Sequence, residues 1–146
     1  MTDLDRAISG LKGHTICLAK GADLLVSDKR GIMPMMELLA AEKDLKGYSV
    51  ADLVVGKAAA ILFIKAGVAA VYAKTMSRSA EDILRRYGIP YTRENSAERI
   101  RNRQGTGYCP MESAVLDCED IEEGYRLLAA KIAETAGHES FLLQRA

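Results

Sequence analysis

The stretch from Leu53 to Ile64 constrains this chain more than any other, because it is apolar on nearly every face of a helix. Leu53, Val54, Val55 and the run Ala58 to Ile64 leave no polar side for solvent, so a helix here belongs to the interior. Asp52 is placed to cap it, and Gly67 to end it after Ala66. The residues that follow, Val68 to Ala73, form an equally continuous apolar run, as in a strand covered on both faces. A buried helix leading into a buried strand calls for a sheet with helices packed on either side.

The rest of the chain fits around that pair. Ser79 with Asp82 three residues on reads as a capping box, Gly88 and Pro90 close the helix after Tyr87, and Ile89 to Thr92 is a further strand. Strand, helix, strand with short connections makes a right-handed crossover between parallel strands. Upstream, Leu4, Ile8 and Leu11 give Asp3 to Leu11 helical spacing. His14 to Ala19 and Ala22 to Ser27 read as an antiparallel hairpin turned at Lys20-Gly21. Pro34 suits the first turn of a helix to about Lys43, and Tyr48 to Ala51 is a short extended segment. Downstream, one helix opens at Cys109-Pro110-Met111-Glu112. Another follows Glu119-Asp120 with Ile121, Leu128 and Ile132 as its stripe; Gly137 ends it, leaving 137–146 as a loose tail. The expectation is one α/β domain spanning 1–146, three-layered α/β/α, with a mixed sheet.

Charge and cysteine usage narrow the partners. Lys plus Arg and Asp plus Glu both number 20, so the formal charge is zero and the basic excess of a nucleic-acid binder is missing. No apolar leader core follows Met1, and the longest apolar run, Ala58 to Ile64, is too short to span a bilayer. Three thiols, Cys17, Cys109 and Cys118, are an odd number and fit a reducing cytoplasm better than a disulfide framework. Oligomeric state is left open, a homo-oligomer included.

Two segments carry the candidate chemistry. In Asn102-Arg103-Gln104-Gly105-Thr106-Gly107-Tyr108-Cys109-Pro110-Met111-Glu112, a glycine loop leads into a helix with Cys109 at the N-cap and Glu112 at the third position. The helix dipole favours a thiolate at Cys109 and the carboxylate opposes it. Cys109 reads first as a small capping residue completed by Glu112, and second as a reactive or ligand-facing thiol. In Asp52 to Ala60, Lys57 sits in the second turn of the apolar helix, to snorkel outward, pair with an acid or line a pocket. Gly56 beside it costs a helix roughly 1 kcal/mol relative to alanine, which close packing against that turn would explain. His14 and His138 stand alone, and no Cys-x-x-Cys or His-x-Glu pair exists, so no zinc ligand set is evident. Arg93, Arg99, Arg101 and Arg103 form a basic stretch, read first as a solvated face.

As a set, Arg30-Gly31-Ile32 with Pro34, Asp52 with Val54 to Ala60, Tyr72-Ala73-Lys74, and Asn102-Arg103 with Gly107 and Cys109 to Glu112 are similar to a small prokaryotic family. That family is classed as a domain of unknown function and its fold resembles cytidine deaminase. The resemblance covers roughly residues 14 to 125 and implies a cleft where two helix starts meet. Zinc deaminases carry His-x-Glu and Cys-x-x-Cys there. Here the first start reads Gly56-Lys57-Ala58, and the second has Cys109 with Glu112 in place of the second cysteine. The resemblance therefore implies the fold without zinc and without a resident cofactor. Lys57, Cys109 and Glu112 are then the candidate catalytic residues, and Asp52, Gly56, Asn102 and Arg103 the candidate ligand contacts. A purine-biosynthesis transformylase shares the fold without zinc, which makes a small polar, nucleotide-like ligand the expected partner. The alternative is a non-enzymatic interaction or regulatory module, and a third option is a redox thiol at Cys109.

Overall fold

The computed structural model describes residues 1–102 and 104–145, with side chains through 134. The elements run α1 Asp3–Leu11, β1 Ile16–Lys20, β2 Asp23–Ser27, α2 Met33–Ala40, β3 Ser49–Val55, α3 Lys57–Ala66 and β4 Ala70–Ser77. They continue with α4 Arg78–Arg86, β5 Tyr91–Ala97, α5 Pro110–Val115 and α6 Ile121–Arg145. One mixed sheet of five strands results, in the order β2-β1-β3-β4-β5. The hairpin β1–β2 and the pair β1–β3 are antiparallel, whereas β3–β4 and β4–β5 are parallel.

Alternation along the strands sends side chains to two cores of unequal size. Cys17, Ala19 and Ala51 face Ala7 and Leu11 of α1, with Tyr72 packed beside them. Ile16, Leu18, Val50, Val71 and Ala73 face the other way, into a larger core supplied by α2 to α6. Helices therefore lie on both faces. At the centre of the larger core is α3, whose residues Ala58 to Phe63 are all buried.

The interior helix begins later than its apolar run suggests. Asp52 does not cap it, because residues Ser49 to Val55 are strand β3, paired with β4 from Ser49↔Ala70 to Val55↔Met76. An apolar run of this kind serves a buried strand as well as a buried helix, and β-branched Val50, Val54 and Val55 tip it toward strand. Gly56 is the N-cap of α3 and Lys57 its first residue, not a second-turn residue, so Gly56 costs the helix nothing. At the far end Gly67, at φ +76°, takes the left-handed C-cap expected of it.

Three other boundaries also differ. Strand β4 continues past Ala73 to Ser77, and Ser77 rather than Ser79 caps α4, its hydroxyl accepting from Ala80 N at 3.2 Å. Strand β5 runs Tyr91–Ala97, so Arg93 belongs to the sheet. Helix α6 passes through Gly137 to Arg145, because a glycine inside a helix costs only on the order of 1 kcal/mol and does not by itself stop it. Among the described residues no helix is long and apolar enough to cross a membrane.

Candidate functional site

Strands β3 and β4 end beside one another, and each turns directly into a helix, at Gly56 and at Ser77. Helix starts expose backbone N–H groups that need acceptors. The acceptor comes from α5. Glu112 is 1% exposed, and its Oε2 accepts from Lys57 N at 2.7 Å, Ser77 Oγ at 2.6 Å and Ser79 Oγ at 3.1 Å. Its Oε1 accepts from Ile100 N at 2.8 Å. One carboxylate thus joins the starts of α3 and α4 to the chain that follows β5.

Glu112 does occupy the third position of a helix capped by Cys109, but it does not complete that cap. Cys109 N donates instead to Ile100 O at 2.8 Å, and the Cys109 side chain makes no capping bond. Gly56 is explained by the same carboxylate. A Cβ there would lie 2.8 Å from Glu112 Oε2 and 2.9 Å from Ile100 Cγ1, so only glycine lets α5 approach this closely.

Lys57 is likewise committed to the interior. It is 2% exposed, and its ammonium donates to Leu116 O at 2.7 Å, with Glu119 Oε1 at 3.5 Å. Leu116 is the C-cap of α5, so the cation meets the negative end of that helix. The single residue Lys57 therefore grips α5 twice: its backbone N–H on Glu112 near the start, its ammonium on the last turn.

The remaining candidates fall into place around this junction. Asp52 lies in β3, 8% exposed, with Val54 N donating to its Oδ1 at 3.4 Å. Burial pushes its carboxyl up to about 8, against the weaker opposing pull of the Val54 and Leu53 amides. It shares no hydrogen bond with Lys57, Cys109 or Glu112. Asn102 organises its own turn: its N–H donates to Gly107 O at 2.9 Å and its Oδ1 accepts from Thr106 N at 3.0 Å. Arg103 lies outside the described residues. Cys109 is half-buried, and burial pushes the Cys17 thiol upward.

Lys57 and Glu112 come together, then, as a clamp that ties the start of α3 to α5. Two clefts, of about 420 and 430 Å³, lie elsewhere, one beside Arg6 and Asp23, the other between α4 and β5. The second is walled by Arg78, Arg85 and Arg93, whose charges are spent on Glu98, Asp82 and Glu81. Glu81 is, with Glu112 and Asp52, a further buried acidic side chain. Desolvation opposes its ionisation, yet Arg93, Ser96 and Tyr91 together hold it below the usual range. Among the described residues no three His, Cys, Asp or Glu side chains gather where a metal ion could be held. His14 is engaged with Asp28 at 2.7 Å.

Sequence reasoning missed the two serines that complete the junction. Ser79 reads as a cap with Asp82, and Ser77 lies beyond the strand expected at Val68 to Ala73 and carries no signal of its own. Only the approach of α5, remote in sequence, shows that both point at Glu112.

Comparison with known proteins agrees with this architecture. A crystal structure of a DUF1893 family protein from Thermotoga maritima superposes with a TM-score of 0.81 at 28% identity, covering 90% of this chain and 91% of that one. No curated protein matches the chain. Residues 10–132 match the family model described as a domain of unknown function, DUF1893, and the chain belongs to that family.

Proposed function

We propose that this chain is a zinc-independent binding domain, a regulatory or interaction module with a cytidine-deaminase-like arrangement, and not a hydrolase. An antiparallel hairpin followed by β3-α3-β4-α4-β5 supports the deaminase-like reading. The observation that carries the functional half is the Glu112 carboxylate. In open α/β sheets, ligands bind beyond the carboxyl ends of parallel strands, at helix starts. Here that place is filled from within by a side chain with four donors. Hydrolytic deamination needs an activated water and a carboxylate free to move protons. Glu112 is already saturated, and Lys57 is turned onto Leu116 O. A cytoplasmic setting suits the three free thiols.

The test is a thermal-shift and turnover screen of nucleotides, nucleobases and sugar phosphates on the native chain and on Lys57→Met. Methionine keeps the aliphatic stem but leaves Leu116 O without its donor, so the variant unfolds more easily by about 1–3 kcal/mol. Its response to each compound is expected to match that of the native chain. Release of ammonia from any compound, or stabilisation that disappears in Lys57→Met, overturns the reading. Small-ligand binding at another surface is compatible with it, and the arginines after β5 favour one such surface.

A further inference from the structure

The chain leaving β5 turns back on itself in a short antiparallel bridge. Arg101 and Tyr108 are bridged antiparallel, Asn102 N donates to Gly107 O at 2.9 Å, and Cys109 N to Ile100 O at 2.8 Å. Ile100 N is in turn held by Glu112 Oε1 at 2.8 Å, so the hairpin is anchored to the buried junction. On it, the Arg99 guanidinium lies over the Tyr108 ring at 3.9 Å and the Arg101 guanidinium at 5.5 Å. Tyr108 is 49% exposed.

Neither arginine has a carboxylate within 4.0 Å among the described residues, whereas Arg6, Arg78, Arg85, Arg86 and Arg93 each do. Arg99 Nη2 donates to Ser113 Oγ at 2.7 Å, but Arg99 Nε is withdrawn from water with no acceptor among the described residues. A buried donor on a charged group without a partner is uncommon and costly. Two guanidinium groups over one tyrosine ring, with no carboxylate beside either among the described residues, raise the local positive potential.

We propose that Arg99, Arg101 and Tyr108 form a binding site for a phosphate group carried by a small molecule. A phosphate monoester offers two charges and three acceptor oxygens, which suits two forked donors better than a single carboxylate does. The tyrosine ring fixes the guanidinium planes so that little order is lost on binding. This rests on the reading of the chain as a binding domain and names the ligand class that the domain takes.

Inorganic phosphate is the probe, titrated at constant ionic strength and followed by the amide resonances of Arg101, Gly107 and Tyr108. The expected result is saturable shifts confined to the hairpin and to Ser113. In Arg101→Gln the affinity falls about tenfold or more, as loss of one charge-assisted contact requires. Arg101 is exposed and its side chain makes no hydrogen bond among the described residues, so that variant keeps the fold. Arg99→Lys retains the charge and loses the fork, and it too is expected to weaken binding. A nucleoside monophosphate and a sugar phosphate, run in parallel, show which part beyond the phosphate adds affinity. Absence of saturable shifts, equal shifts from chloride, or unchanged affinity in both variants overturns the site. Those failures leave the binding-domain reading standing, because that reading falls only on turnover or on Lys57-dependent binding.

Discussion

Glu112 and Asp52 are both carboxyl groups buried next to the same sheet, and they are treated in opposite ways. Glu112, 1% exposed, accepts from two backbone amides and two serine hydroxyls. Asp52, 8% exposed, has amide donors of strand β3 itself, the Val54 amide at 3.4 Å, and burial pushes it up to about 8. A buried carboxylate is affordable when donors converge on it and otherwise takes a proton. Convergence is what differs. Glu112 sits where two helix starts expose donors, while Asp52 sits in a strand whose N–H groups are largely used by neighbours.

The sharpest way to break this contrast is Glu112→Ala. It strands four donors in the interior and is expected to cost about 3–5 kcal/mol in denaturant unfolding. Glu112→Gln keeps the shape and one acceptor oxygen, and should cost less than half as much. If alanine costs under about 1 kcal/mol, the clamp is not holding α5.

Asp52 gives the next effect, through pH. Its folded value, about 8, lies above the ordinary 3.8, so between those values the native chain holds a proton that the unfolded chain has released. Its stabilising contribution is full below about pH 4 and is lost as pH rises through 8. The native chain should therefore lose stability relative to Asp52→Asn by up to about 1.4 kcal/mol per pH unit across that window. Unfolding free energies at several pH values between 5 and 8 check the slope. Parallel curves for the two proteins would mean that Asp52 is ionised and partnered after all.

Gly56→Ala sharpens the comparison from the other side by disturbing Glu112 without removing it. The added methyl presses on Glu112 Oε2 and Ile100 Cγ1, the latter on the hairpin, with a cost of about 1–2 kcal/mol. Combined with Glu112→Ala, which removes one of the obstacles, it should cost less than the sum of the two single changes. Strict additivity would place the strain elsewhere.

Much of this was readable in the chain. Helix α1 begins and ends where its spacing says, the β1–β2 hairpin and the parallel β4–β5 crossover follow from turn and strand patterns, and Gly67 stops α3. Gly56, too, was expected to mark a close approach. Its partner could not be read, because α5 arrives from more than fifty residues away and periodicity describes only near neighbours. For the same reason the sequence leaves Lys57 open between snorkelling outward, pairing with an acid and lining a pocket. A lone cation in an apolar helix signals burial or a pocket, and nothing local says that Leu116 O awaits it.

Sequence alone determined an α/β chain with a mixed sheet and a central apolar helix. These follow from apolar patterning and from glycine and proline chemistry, which act over a few residues. Tertiary structure decided where the apolar run divides into β3 and α3, since the same residues satisfy either element until β4 supplies hydrogen-bond partners. It also decided which groups Glu112 and Lys57 meet, because the donors at the starts of α3 and α4 and the carbonyl of Leu116 lie too far along the chain for local patterning to register.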